Sequence, residues 1–174
     1  MAADFKVKYP STSSTDLTIT LASLATGSSG VYTTGRESTA VDNTSNLDLD
    51  HLVSGKITTG TSPTSSRVIN VYAYANMSSS SGTPTYPDVL DGTDSDETFT
   101  SANVMATAVR LIATLVIDST SNRTYYFGPV SIAQTFGSMP KFWGIYVAHD
   151  TAVSLNSTSG NHQICYERVQ AQSV

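Results

Sequence analysis

The chain has 174 residues, 39% of them hydrophobic and only 13% charged, about half the charged share of an average soluble domain; its polarity comes instead from 26 Ser and 25 Thr. Nine Lys and Arg against 14 Asp and Glu give a net charge of −5 and a pI near 4.9, and the cations are spread from Lys6 to Arg168, which argues against nucleic acid and an anionic membrane surface as partners, since both need clustered positive charge. One Trp, nine Tyr and five Phe separate the chain from disordered sequences and predict a folded core.

The start of the chain, MAADFKVKYP, lacks the apolar stretch of a signal peptide, so the expectation is synthesis in the cytoplasm without export by the general secretory route. Phe5, Val7 and Tyr9 alternate with Lys6 and Lys8 before Pro10. Residues 1–15 read either as an arm that adds as an edge strand to a partner, with main-chain hydrogen bonds and alternating side-chain anchors, or as the first strand of the chain's own sheet. Residues 16–174 read as one domain. Six segments then carry β alternation. Residues 16–21 place Leu17, Ile19 and Leu21 on one face. Leu47, Leu49, His51 and Val53 form the next. In 67–77, Ile69, Val71, Ala73 and Ala75 oppose Val68, Asn70, Tyr72 and Tyr74. The strongest strand, 107–118, sets Val109, Leu111, Ala113, Leu115 and Ile117 on one face. Residues 142–149 (FWGIYVAH) and 162–169 (HQICYERV) complete the set.

Gly, Pro and Ser clusters at 27–30, 60–63, 78–84, 118–122 and 156–160 punctuate these strands. Short strands at such spacing predict an all-β fold: a two-sheet antiparallel sandwich, jelly-roll-like, with long loops and at most one or two short helices. Residues 131–136 read either as a short helix or as a bent strand, and residues 101–108 either as a lead-in to the strong strand or as one helical turn. The loops 33–45 and 78–100 exceed the usual length, and packing against a neighbouring copy would order them, which points to an oligomer. The longest apolar run, 111–117, is broken by Thr114 and falls far short of the ~20 residues of a membrane helix. A single cysteine, Cys165, excludes an intrachain disulfide framework and reads as a small hydrophobe in mid-strand.

No GxSxG elbow is present. His149-Asp150 is the tempting catalytic pair, but adjacent strand residues point to opposite faces. His51 reads as a half-buried, hydrogen-bonded residue and His162 as the start of a strand. The segment 88–97 (DVLDGTDSDE) holds five of the 14 carboxylates; its spacing does not match the helix–loop–helix calcium pattern, and a solvated acidic loop is the favoured reading. Tyr72, Tyr74 and Tyr86 are candidates for a carbohydrate platform, and the 88–97 carboxylates for a hydrolase acid pair. Phe142 and Trp143 lie on opposite faces of their strand, Trp143 in the core and Phe142 toward a partner. The residue reading therefore expects no enzyme activity, no catalytic or metal-ligating residues and no cofactor or small-molecule substrate, with Phe5, Lys6, Lys8, Tyr9 and Phe142 as candidate partner contacts.

The last 65 residues carry a resemblance. Tyr126, Phe127, Gly128, Pro129, Val130, Phe136, Gly137, Pro140, Lys141, Trp143 and Gly144, followed by Asp150, Thr151, Leu155, Gly160, His162 and Tyr166, match the closing block of small structural proteins of tailed bacteriophages. Asn161 is inserted between Gly160 and His162, and Ala152 stands where glycine is frequent. The pattern resembles the head decoration, or capsid cement, family of jelly-roll type. That resemblance implies a virion protein on the capsid surface, often a homotrimer, which fastens neighbouring major capsid proteins. Alternatives are a carbohydrate-binding module of a fibre or baseplate and a minor tail protein.

Overall fold

A strand that is apolar on both faces must be covered on both sides, and FWGIYVAH at Phe142–His149 is such a strand: seven of its eight residues are buried. The computed structural model describes residues 5–10, 12–80 and 83–173. Its strands are β1 (Phe5–Lys8), β2 (Thr15–Asp16), β3 (Thr34–Glu37), β4 (Val41–Asp42), β5 (Asp50–Thr58), β6 (Val68–Ala75), β7 (Ser78–Ser80), β8 (Thr83–Thr85), β9 (Asp96–Thr98), β10 (Arg110–Val116), β11 (Thr124–Ser131), β12 (Phe142–His149) and β13 (Gln163–Ser173). Helices α1 (Ala102–Ala108) and α2 (Ile132–Phe136) lie between them. The first sheet runs β1-β13-β5-β11 with β2 also on β13; the second runs β10-β6-β12-β3-β9 with β4 also on β12; β7 and β8 form a hairpin. All pairings are antiparallel, and the result is the predicted all-β, jelly-roll-like sandwich.

Two cores follow from the two faces of β6 and β12. Ile69, Val71 and Ala73 of β6, with Trp143, Ile145 and Val147 of β12, meet Val53, Ile57 and Ile164 of the first sheet. Leu17 and Leu21 close this core from the side; their alternation is as predicted, although only Thr15 and Asp16 join a ladder. On the outer face Tyr74, Tyr146 and Ala148 pack against Tyr86, Leu90 and Phe99 of the 86–99 segment and against Met105 and Val109. The long loop expected to need a neighbouring copy is thus ordered by the chain's own second sheet. Tyr74 crosses β12 at Gly144, where a Cβ would lie 2.3 Å from the ring, and donates to the Ser38 carbonyl at 2.7 Å. Tyr146 crosses Gly35 in the same way.

Local chemistry settles the two ambiguous segments as helices. Ser101 Oγ accepts from Val104 N–H at the start of α1, and Ser131 Oγ accepts from Gln134 N–H at the start of α2, the usual N-cap bond. Three expectations need correction. A β-bulge between Leu111 and Ala113 breaks the predicted single face: Leu115 and Ile117 point into the first core, Val109 into the second, and Leu111 to solvent. Leu47 and Leu49 are exposed rather than inward, because β5 begins only at Asp50 and Leu47 sits at φ 51° in a turn. The sixth long strand, β11, was not among the predicted six.

Candidate functional site

β13 pairs with β5 only from Gln163 to Val169; its last residues, Gln170 to Ser173, pair with β1 alone. β1 and the last four residues of β13 therefore form a two-stranded ribbon that runs past the sheet, and all four residues of β1 are exposed. Phe5–Lys8 thus pair with the chain's own first sheet, while residues 1–4 and 11 lie outside the described residues. The turn 43–49 lies at the same end: Leu49 N–H donates to the Val169 carbonyl and Asn43 N–H to the Lys141 carbonyl. The end of β6 joins them, since Asn76 N–H donates to the Phe142 carbonyl. Phe5, Val7, Tyr9, Leu47, Leu49 and Met77 are each more than half exposed, and these are six of the ten exposed large hydrophobic residues among those described. Lys6, Lys8 and Lys141 accompany them, and none has an ion pair among the described residues. The opposite end is built from the hydroxyl- and amide-rich turns 26–30, 60–66, 118–123 and 156–161.

The predicted contacts Phe5, Lys6, Lys8 and Tyr9 are brought together here. Phe142 lies at the same end but is half-buried against the second core, while Trp143 is wholly buried as expected. Sequence reasoning missed Leu47, Leu49, Met77 and Lys141; the Asp42–Thr44 turn signal, in which Asp42 accepts from the Thr44 N–H and hydroxyl, was the available clue that strand structure had not yet begun at Leu47.

Under this end lies a buried charged network. The Asp48 carboxylate accepts from His51 Nε2 at 2.8 Å, from Arg168 Nε and a second guanidinium nitrogen at 2.8 and 3.1 Å, and from Gln170 at 2.6 Å. Burial pushes its acidity down, but these bonds outweigh it and hold the carboxyl below its ordinary range. Trp143 Nε1–H donates to His51 Nδ1 at 2.8 Å, which fixes the neutral tautomer with the proton on Nε2. His51 is fully buried rather than half-buried, and that burial lowers its basicity. An Asp–His pair normally orients a base for a nucleophile; here the second nitrogen is taken by indole, so the pair has no lone pair to offer. The network ties β13, β5 and β12 together at the base of the ribbon.

The other titratable residues serve the scaffold in similar ways. His149 Nε2 contacts the Leu24 carbonyl at 3.1 Å and Nδ1 the Thr151 hydroxyl at 3.0 Å, and burial pushes it down to about 4. Asp150, just past the end of β12, accepts from Val68 N–H, Gly30 N–H and Arg67 and has no hydrogen bond to His149 among the described residues. His162 bridges the Thr58 N–H and the Asn156 carbonyl.

The segment 88–97 is no freely solvated loop. Asp94 accepts from Arg36 Nε at 2.6 Å and from Thr20, Asp88 accepts from Thr100, and Asp91 accepts from Thr93. At its centre the wholly buried Glu37 Oε1 accepts the N–H groups of Asp91, Gly92 and Thr93 at 3.2, 2.7 and 2.9 Å, while Oε2 has no hydrogen-bond partner among the described residues. Burial raises the Glu37 carboxyl to about 7 against the pull of these bonds. Among the described residues no group of three or more His, Cys, Asp or Glu side chains is placed to hold a metal ion. Two of the three tyrosines considered for a sugar platform, Tyr74 and Tyr86, are buried edge-to-face at 5.6 Å and present no face to solvent. Cys165 is half-buried beside Ser54 rather than inside the core.

Compared with known protein families, curated proteins and solved structures, the chain matches none.

Proposed function

We propose that the chain is a virion structural protein of a tailed bacteriophage that decorates and cements the assembled capsid, bridging neighbouring major capsid proteins as a homotrimer and carrying out no catalysis. The observation that supports this reading is the uneven distribution of exposed apolar side chains. Six of the ten described large ones gather at the ribbon end, with Lys6, Lys8 and Lys141, which have no ion pair among the described residues. The far end is mainly hydroxyl and amide, with Arg123 paired to Asp118, Arg67 paired to Asp150 and Lys56 donating to the Gly160 carbonyl. Contiguous exposed apolar surface marks an interaction site, and aromatic anchors such as Phe5 and Tyr9 dominate interface energetics. Leu47 and Leu49 beside them extend the contact. A subunit that binds only the assembled shell stabilises it by mass action, and a quiet, weakly charged body allows many copies to sit side by side without accumulating repulsion. The test is a heat or osmotic challenge to shells stripped of the protein. Restored resistance on adding it back, and lost restoration with Leu47→Asp/Leu49→Asp, are the expected results; unchanged shell stability at saturating protein refutes the reading.

A further inference from the structure

We infer that residues 86–93 form a flap over the second sheet that one proton, held between Glu37 and Asp91, keeps closed; losing that proton lets the flap open transiently while the sandwich stays folded. The device belongs to the single chain and does not depend on the reading above.

The flap covers apolar surface and has places to bend. Tyr86 and Leu90 are buried in the second core with Tyr74, and Tyr86 meets the Tyr74 ring edge-to-face at 5.6 Å. Asp88 at φ 52° and Gly92 at φ 81° bracket the turn that carries Leu90 and Asp91, and a few residues at the ends of a segment suffice to absorb a hinge motion. Beyond the flap the chain is fixed independently: Asp94 accepts from Arg36 Nε at 2.6 Å and from Thr20, and β9 pairs with β3. Within it, Asp88 accepts from Thr100 and the Gly92 carbonyl from Ala40 N–H, but three successive N–H groups, those of Asp91, Gly92 and Thr93, rest on the single oxygen Oε1 of Glu37.

The Asp91 side chain lies within hydrogen-bonding reach of the Glu37 carboxyl. With a proton on Glu37 the pair has one donor and one acceptor. Without it two carboxylates face each other, and one of them is out of water, where a charge is costly. The Thr93 hydroxyl and N–H hold Asp91 below its ordinary range, so the proton belongs to Glu37, which burial raises to about 7.

The other groups on this side do not compete for it. Tyr74 on β6, Tyr146 opposite Glu37 on β12 and Tyr86 in the flap are all pushed up by burial, Tyr86 to about 12, and stay neutral. Asp42, which acts on Tyr86, is held low by Thr44, and Glu97 on β9 accepts from the Ser95 hydroxyl. Arg36, next to Glu37 in β3, turns to the other face and takes Asp94 and Asp96.

When the flap lifts, Glu37 meets water and returns toward 4.5. Between that value and about 7 the closed form keeps a proton that the open form has released, so opening gains about tenfold per pH unit, about 300-fold in all, and levels off above. Asp91 acts in the opposite sense, but only below about pH 4.

Hydrogen exchange read by mass spectrometry tests this on the whole chain, with each rate divided by its intrinsic rate at that pH. The 91–93 amides are expected to be far less protected than those of β6 and β12 at every pH. Their protection should fall about 300-fold from pH 4.5 to 7.5, and low urea, which speeds the sheet amides, should leave them unchanged. Glu37→Gln should flatten the pH dependence, and Asp91→Ser, which removes the facing charge, should move its upper bend to lower pH. Protection equal to that of β6 and β12 means that flap and sheet open together and overturns the flap. Protection that ignores pH in the wild type, or falls equally in Glu37→Gln, overturns the role of the proton. The wild-type measurements decide the matter even where a variant fails to fold.

Discussion

Replacing Glu37 by Gln tests the account of the 88–97 segment. The buried carboxyl titrates near 7, against 4.5 for an ordinary glutamate, because burial penalises its charged form more than the three N–H bonds reward it. Between those values the folded chain holds a proton that the unfolded chain has released, so stability falls as pH rises through the window and is flat above it. At about 1.4 kcal/mol per tenfold difference in proton affinity, the loss is about 3 kcal/mol. Gln keeps an acceptor for the three N–H groups and places a donor where the protonated acid has its hydroxyl. Urea unfolding of both proteins at pH 4 and pH 8 measures the effect, and other carboxylates cancel in the comparison. Near pH 4 the two should be nearly equally stable; at pH 8 the variant should be ahead by about 3 kcal/mol. A difference that does not change with pH refutes the reasoning.

Asp48→Ala leaves His51 and the Arg168 guanidinium without their shared acceptor and should cost about 3–5 kcal/mol, read by denaturant unfolding at pH 7. Since Asp48 is held below its ordinary range, the stabilisation it gives is present above about pH 4 and lost as pH falls further; the variant's acid unfolding limb should be shallower. Trp143→Phe keeps most of the ring but strands His51 Nδ1, at about 1–3 kcal/mol. Gly144→Ala drives a methyl into the Tyr74 ring and should cost about 1–3 kcal/mol by overpacking, with a change in near-ultraviolet circular dichroism; an unchanged spectrum and melting temperature contradict the crossing described.

Alternation along 67–77 and 142–149 was legible because it depends on neighbours in sequence, and it correctly placed Ile69, Val71 and Trp143 inside. Nothing local indicated that 86–99 would fold over the opposite face of these strands and bury Tyr74, Tyr146 and Ala148. The bulge at Leu111 and Ala113 is a decision of the backbone, set by the register against Tyr72 and Val71, and side-chain periodicity runs through it unmarked. β11 was hidden by Gly128-Pro129 within it, residues that ordinarily argue against a strand. Glu37 sits in TTGREST, where a reader expects a solvated acid; only the fold brings three N–H groups onto it. The exposed apolar cluster was half visible: the alternation of Phe5–Tyr9 lies in sequence, but its union with Leu47, Met77 and the β13 end depends on contacts between residues far apart in the chain.

The pairing of Phe5 with Ser173 has a mechanical consequence. Tension applied between these two points loads the ribbon's rungs one after another, as in opening a zipper, and the first of them yields at low force. The strands buried on both faces never feel that load until the ribbon has parted, so the ribbon acts as a weak link that gives way while the body of the subunit keeps its shape.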